Sequence, residues 1–137
     1  MGFDLNGLYP KNKKGEYFRN NVWSWRPLWN FVCIICALNN NKAIISDEQA
    51  SNGQTNSGKE FNAKTAIRIA DEIDRAIIDG KAADYKKALN RIKREAEKYN
   101  AEQDSLERSM AVDYPFDIQN LKNFSLFCRN SGGFTID

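Results

Sequence analysis

The chain has 137 residues, of which 42% are hydrophobic and 28% are charged. This length is sufficient for one domain with its own core, and the composition is that of a folded protein. Lys and Arg number 20 and Asp and Glu 18, so the net charge is only +2. So small a net charge argues against nonspecific nucleic-acid binding, which needs a strong basic field. It does not exclude a local patch of basic residues. We predict a single domain over residues 1–137.

Histidine is absent from the chain. Its absence removes the usual general base at neutral pH, the Ser-His and Cys-His nucleophile pairs, and the commonest metal ligand. We therefore expect a binding protein rather than an enzyme, with no cofactor and no metal.

No apolar run in the sequence reaches the length of about 20 residues that spans a bilayer. The segment Met1–Leu8 also lacks the basic and apolar stretches of a signal peptide. We predict a cytoplasmic protein without a membrane partner, whose cysteines are reduced. Cys33 and Cys36 form a Cys-x-x-Cys pattern, but no second ligand pair accompanies it. We interpret both as small buried apolar residues.

The chain begins with a segment in which Phe3 and Leu5 alternate with polar or small residues, which predicts a short strand. A turn follows over Tyr9–Gly15, where Pro, Asn and Gly occupy typical turn positions. This turn contains three lysines, Lys11, Lys13 and Lys14. We interpret them as a solvated face, and binding of a phosphate group is the alternative.

All three tryptophans lie within Arg19–Trp29. Pro27 fixes its own backbone and suits the first turn of a helix. The helix predicted over residues 28–38 is apolar nearly all round and therefore buried.

Before that helix we predict an extended segment in which Trp23 and Trp25 share one face. Two such rings make a stacking platform for a flat ligand. Burial of both rings against the helices is the alternative.

Residues 42–61 are polar and predict a loop. Helices are then predicted over 63–79, capped by Asn62, and over 82–103, forming a hairpin on the core helix. Asp117 caps a last helix over 118–129.

Residues 134–136 form a strand that pairs with the N-terminal one. The predicted fold is mainly α (α+β), a four-helix small domain with a short two-stranded terminal β element.

Two Arg-Asn tracts begin at Arg19 and Arg129, each at the boundary of a predicted element where backbone amides are available to a ligand. Pairing of the terminal strands would bring the tracts together into one binding site. The predicted site residues are Arg19, Asn20, Asn21, Trp23, Trp25, Arg26, Arg129, Asn130, Ser131, Gly132 and Gly133. The alternative is structural: the arginines pair with carboxylates and the asparagines satisfy turn backbones.

The segment Gly15–Trp29 resembles a signature of small, uncharacterised proteins encoded by phages and prophages. The segments Tyr114–Asp117 and Phe127–Phe134 are similar to a second block of that family. Ser24 stands where the family tends to carry a third aromatic residue. The resemblance implies a phage origin and brings no established activity with it.

Small accessory phage proteins often act against host defence, in the cytoplasm of the host cell. The first hypothesis is a counter-defence protein that sequesters a nucleotide-type signal without turnover: tryptophans stack the base, arginines hold phosphate and asparagines contact polar edges. The alternative is a protein–protein inhibitor of a host defence complex, similar to an anti-CRISPR protein. A third hypothesis is a nuclease or nucleotide hydrolase in which Asp113 and Asp117 hold magnesium; N-capping is the alternative role of Asp117. The sequence does not exclude that the protein forms a homo-oligomer.

Overall fold

The computed structural model describes residues 2–37, 43–102 and 115–137. In chain order, its elements are β1 (Gly2–Gly7), a 3₁₀ turn (Lys13–Gly15), β2 (Tyr17–Asn21), α1 (Val22–Ala37), α2 (Asp47–Asn52), β3 (Lys59–Asn62), α3 (Ala63–Ile78), α4 (Lys81–Glu102), α5 (Ile118–Ser131) and β4 (Gly133–Ile136). The fold is therefore mixed α/β.

The four strands of the described chain form one antiparallel sheet in the order β2-β1-β4-β3. The predicted pairing of the two terminal strands is confirmed, with Leu5 opposite Ile136. The prediction of only two strands is wrong, because β2 and β3 extend the sheet on both sides. Both are short, and neither shows the apolar alternation that identifies a strand in sequence.

Helices cover one face of the sheet, and the other face is polar. Side chains alternate between the two faces along each strand. On the covered face lie the buried side chains Phe3, Leu5, Phe61, Phe134 and Ile136. On the open face, Asp4 pairs with Arg19 and Asn6 donates to Asp137 Oδ2 at 2.8 Å.

A stacked pair of tryptophans forms the centre of the core. The rings of Trp25 and Trp29 are 5.5 Å apart and tilted by 13°, and both side chains are fully buried. Phe3 stacks on Trp25 from the sheet, and Phe124 meets Trp25 edge-on from α5. This cluster joins the sheet, α1 and α5.

The predicted start of the core helix is wrong. Helix α1 begins at Val22, and Pro27 lies inside it. Asn21 Oδ1 accepts a hydrogen bond from the Ser24 backbone N–H at 2.9 Å, the interaction of an N-cap. Residues 22–27 are therefore helical rather than extended. The predicted end of this helix, at residue 38, lies outside the described residues.

The predicted loop over residues 42–61 contains two regular elements, α2 and β3. Ser46 Oγ accepts from the Gln49 N–H at 3.1 Å, and Gln49 Oε1 accepts from the Ser46 N–H at 2.9 Å. This reciprocal capping box satisfies two backbone donors at the start of α2. A local side-chain interaction thus stabilises a helix in a segment whose composition predicts a loop.

The other three helices agree with the prediction to within a few residues. Asn62 Oδ1 caps α3 by accepting from the Thr65 N–H at 2.8 Å, and Asp117 Oδ1 caps α5 by accepting from the Gln119 N–H at 3.0 Å. Asp117 therefore has the structural role that its position at a helix start predicts. Asp113, its proposed magnesium partner, lies outside the described residues.

Gly132 and Gly80 allow a matched test of close packing at the end of α5. Both have positive φ, +67° and +88°. A Cβ on Gly132 would overlap the Tyr9 carbonyl oxygen, whereas a Cβ on Gly80 meets nothing within 4 Å. We expect Gly80→Ala to cost about 1 kcal/mol of unfolding free energy, from backbone strain alone. Gly132→Ala is expected to cost at least about 2 kcal/mol more.

Urea denaturation of the two variants and the unsubstituted protein measures both costs. Equal losses for the two variants would contradict the close contact between the end of α5 and the Tyr9 backbone.

Candidate functional site

The C-terminal tract packs directly on the turn before β2. The Asn130 carbonyl accepts from the Lys11 N–H at 2.8 Å, and the Ser131 carbonyl accepts from the Tyr9 N–H at 3.0 Å. A Cβ on Gly15 would overlap the Asn130 carbonyl oxygen. The two ends of the chain do meet, but their backbones are in contact and leave no room for a ligand between them.

Arg129 joins α5 to α3. Its Nη2 atom donates to Asp71 Oδ1 at 2.9 Å and to Asp74 Oδ2 at 2.7 Å. Asp74 Oδ1 also accepts from Ser125 Oγ at 2.6 Å. Hydrogen bonds to Asp74 and Asp71 raise the pKa of Arg129 above its ordinary value. The carboxylate pairing foreseen as the structural alternative is therefore present.

Arg19 lies on the open face of the sheet, on a different element from Arg129. Its Nε atom is 3.1 Å from Asp4 Oδ1, and the Tyr17 hydroxyl donates to that same oxygen. This hydrogen bond is the main reason that the pKa of Tyr17 is raised. Asp4 thus orients both Tyr17 and Arg19, again as the structural alternative predicts.

Asn20 and Asn21 have structural roles at the end of β2. Asn20 is 8% exposed. Its amide exchanges two hydrogen bonds with the Asn120 amide of α5, at 2.9 and 2.8 Å. Asn21 is the N-cap of α1. Both side-chain oxygens therefore accept hydrogen bonds from the protein itself.

Asn130 and Ser131 are bound within the last turn of α5 and to the N-terminal turn. Asn130 Nδ2 donates to the Leu126 carbonyl at 2.8 Å, and Asn130 Oδ1 accepts from Asn12 Nδ2 at 3.0 Å. Ser131 Oγ donates to the Cys128 carbonyl at 3.1 Å. These contacts terminate the helix.

The two glycines of the tract allow the backbone to pass close to other segments. Gly132 adopts the left-handed conformation that commonly ends a helix. A Cβ on Gly133 would lie 2.8 Å from the Phe61 carbonyl oxygen of β3. The space beside both glycines is thus occupied by other backbone.

Trp23 and Trp25 do not form the predicted stacking platform. Because both lie on α1, two residues apart, their side chains diverge by about 200° around the helix axis. Trp25 is 0% exposed and Trp23 is 43% exposed. Arg26 is half-buried on the same helix. The predicted shared face is wrong, because it depended on an extended backbone.

An open cleft of about 390 Å³ lies between α5, the edge strand β2 and the 3₁₀ turn. Its lining residues are Lys13, Lys14, Tyr17, Phe18, Asn123, Leu126 and Phe127. This volume is within the range of small-molecule sites, about 300–1,000 Å³. None of these residues belongs to the predicted site, although Lys13 and Lys14 had phosphate binding as an alternative role.

Lys13 and Lys14 supply the positive charge of the cleft. Asn12 fixes the 3₁₀ turn on which they lie, since its Oδ1 accepts from the Lys14 N–H at 3.0 Å. Both side chains are exposed. In the described part of the chain, neither ammonium group forms an ion pair with a carboxylate. The two charges are therefore available to an anion.

The rest of the cleft combines aromatic, apolar and amide groups. Phe18 packs on Phe124 and Phe127 at centroid distances of 5.5 and 5.9 Å, which fixes the floor. Leu126 is 41% exposed beside it. Asn123 Oδ1 accepts from Gln119 Nε2 at 3.1 Å. A flat ring and an anionic group would each find suitable contacts here.

A sequence signal for this cleft did exist. Lys13, Lys14, Tyr17 and Phe18 form a basic-aromatic cluster within six residues. Its second wall comes from the outer face of α5, more than one hundred positions later in the chain. Sequence alone did not reveal that these two segments are adjacent.

The cysteines are poor nucleophiles and poor metal ligands. Burial raises the pKa of Cys33 to about 11 and is the main cause that raises the pKa of Cys36 to about 12. Cys128 is fully buried and its pKa is also raised. Since the thiolate is the reactive and metal-binding form, the thiols are expected to act as apolar core groups.

Among the described residues, no group of three or more Cys, Asp or Glu side chains is arranged to hold a metal ion. Within the same residues, no helix is long and apolar enough to cross a membrane.

Comparisons of the chain with protein-family models, with curated proteins and with solved structures found no match. The resemblance to phage-encoded proteins therefore stays a prediction from sequence, and the function has to be argued from the geometry of the cleft.

Alkylation of Cys33 tests the interpretation of the cysteines. Raising the thiol pKa from 9.0 to about 11 lowers the thiolate fraction at neutral pH by about a hundredfold. We expect iodoacetamide to modify Cys33 at least that much more slowly in the folded protein than in guanidinium, with the rate rising up to about pH 11. Mass spectrometry of the labelled peptide measures both rates. Equal rates in the folded and unfolded protein would contradict the raised pKa.

Proposed function

We propose that the protein binds a phosphate-bearing, nucleotide-type small molecule in the cleft beside the 3₁₀ turn and does not turn it over. The observation that carries this proposal is the convergence of two lysines that form no ion pair among the described residues, an aromatic floor and a side-chain amide on one cleft of about 390 Å³. The stacking site formed by two tryptophans is not part of the proposal.

In this complex, Lys13 and Lys14 hold the phosphate group. An ammonium group is a compact charge with three donors on a flexible stem, and it binds phosphate oxygens without requiring a fixed geometry. Adjacent positions on the 3₁₀ turn let the two lysines bind neighbouring oxygens or neighbouring phosphates.

The ring of the ligand lies against the apolar floor, with Tyr17 at the rim of the cleft. Tyr17 is held by its hydroxyl contact to Asp4, so its ring loses little conformational freedom on binding. Asn123 presents an amide group to the polar edge of the ring, where it can donate and accept. Stacking of a base on an aromatic side chain contributes roughly 1–3 kcal/mol.

Binding without turnover is supported by the composition of the site. The chain has no histidine to act as a general base, and the described residues that line the cleft include no carboxylate. A protein of this kind removes a ligand from solution in proportion to its own concentration. The resemblance to phage-encoded proteins extends the proposal: the ligand is a signal of host defence, sequestered in the host cytoplasm.

Calorimetric titration with a panel of cyclic and ADP-ribose-type nucleotides tests the proposal, with inorganic pyrophosphate as a probe of the phosphate subsite. We expect a saturable heat signal with at least one nucleotide and recovery of that nucleotide unchanged. The variant Lys13→Gln/Lys14→Gln should weaken binding by about tenfold or more for each lysine, because each charged hydrogen bond contributes about 1.5–3 kcal/mol.

The matched control is Lys59→Gln/Lys64→Gln, which removes the same charge from exposed positions outside the cleft. It should bind as the unsubstituted protein does. The absence of any signal across the panel, or an equal loss of affinity in both variants, would overturn the proposed function.

A second candidate function is a protein–protein inhibitor of a host defence complex. It is supported by a separate, apolar cleft of about 240 Å³ between α1 and α4, whose lining includes Phe31, Ile34 and Tyr85. Ile34 is 47% exposed, and an exposed apolar residue in a pocket is typical of an interface. Capture of a stoichiometric host protein that is lost with Ile34→Asp, together with no nucleotide binding, would favour this candidate.

A further inference from the structure

Helix α4 contacts the rest of the protein through one narrow face. Ala82, Tyr85, Leu89 and Ala96 recur at helical spacing and are buried or half-buried. Tyr85 stacks on Phe116 with the ring centroids 4.9 Å apart. The opposite side of the helix therefore faces solvent as far as Lys98.

Four basic side chains occupy that outer side: Lys87, Arg91, Arg94 and Lys98. Their spacing of four, three and four residues keeps them within an arc of about 60°, directly opposite the packed face. All four are exposed. We refer to these four residues as the basic stripe.

The basic stripe is not neutralised by ion pairs within the described residues. The carboxylates of Asp84 and Glu95 lie along one flank of the basic stripe and that of Glu97 lies along the other, and within the described residues none of them forms a salt bridge with it. Like charges three or four residues apart destabilise a helix by a few tenths of a kcal/mol per pair. The basic stripe contains three such pairs in succession. Asp84, Glu95 and Glu97 stand three or four residues from members of the basic stripe and offset these repulsions, so what favours binding is the exposure and alignment of the four cations.

We propose that the basic stripe is an electrostatic binding surface for the phosphate backbone of a nucleic acid. From Lys87 to Lys98 the helix rises by about 16 Å. Since phosphates of one strand recur every 3.4 Å or so along a duplex, about five phosphates lie within that length. A row of four cations on a rigid helix therefore spans enough of a duplex for each cation to meet a phosphate. The contact is independent of base sequence, because it involves only the backbone.

A nucleic acid is a better match than an anionic membrane surface. Membrane-bound helices place apolar side chains next to their basic residues, so that the apolar groups enter the bilayer. The exposed apolar residue of α4 in this region, Ile92, lies toward the packed face, about 100° or more from the basic stripe. The basic stripe therefore offers charge without an apolar border.

The small net charge of the chain had argued against nonspecific nucleic-acid binding. Helix α4 contains seven basic and four acidic residues, so it carries more than the entire net charge of +2. The remainder of the chain is slightly acidic. The net charge of the whole chain therefore conceals a locally basic surface. Binding of a charged partner is governed by the electrostatic field at that surface.

Fluorescence anisotropy with a labelled DNA duplex of about 20 base pairs tests the proposal. Four phosphate contacts predict a slope of log K against log salt of about −3 to −4, which is a loss of about a hundredfold between roughly 50 and 200 mM salt. Glutamine at all four positions of the basic stripe (K87Q, R91Q, R94Q and K98Q) should abolish binding. Circular dichroism establishes that this variant retains its helices.

The matched control replaces four exposed lysines outside the basic stripe (K59Q, K64Q, K86Q and K122Q) and changes the net charge by the same amount. It should retain both the affinity and the salt slope. Binding that is lost equally in both variants would overturn the proposal, as would the absence of salt-dependent binding to the duplex. Binding to phosphatidylserine vesicles but not to DNA would also overturn it.

Discussion

The fold depends on the burial of two stacked indole rings together with their polar N–H groups. Trp25 Nε1 donates to the Gly53 carbonyl at 2.8 Å, and Trp29 Nε1 donates to the Ala50 carbonyl at 2.9 Å. Carbonyls at the end of a helix lack partners within it, so the two indoles satisfy groups that α2 leaves open. A Cβ on Gly53 would overlap the Trp29 ring, which shows how closely this segment covers the pair. Sheet, α1, α2 and α5 all meet at this cluster.

In this arrangement, most of the tryptophan, arginine and asparagine residues that the sequence predicts to bind a ligand have structural roles. Trp, Arg and Asn are residues of recognition sites, but they are equally suited to a core that needs large rings, caps and amide pairs. Here Trp25 is buried, Asn21 caps α1, and Arg129 links α5 to α3 through Asp74. The groups that we propose as binding groups lie instead on the 3₁₀ turn, on the outer side of α5 and on the outer side of α4. These surfaces are composed of lysine, arginine and single aromatic residues. Because the same pattern is common on solvated surfaces, the sequence does not distinguish them from ordinary surface.

The sequence predicted the parts of the fold that have local causes. Asn62 and Asp117 were identified as caps because capping depends on residues only two or three positions away, and the terminal strands were paired by simple topology. The extended backbone predicted for residues 22–26 is wrong: Pro27 suits the first turn of a helix, but the Asn21 cap begins the helix earlier. The prediction that Trp23 and Trp25 share one face depended on that extended backbone and is wrong for the same reason. Strands β2 and β3 and the cleft beside Lys13 depend on contacts between distant segments, which local patterns do not contain.

The central claim is that the tryptophan-rich segment contributes Trp25 and Trp29 to the core, and that the proposed ligand binding takes place elsewhere. Iodide quenching of tryptophan fluorescence in the Trp23→Phe variant tests it most directly, because only Trp25 and Trp29 then emit. With Trp25 and Trp29 both 0% exposed, the account predicts almost no quenching in the folded variant and full quenching in guanidinium. Strong quenching in the folded variant would mean that one of these indoles faces solvent, and would contradict the account.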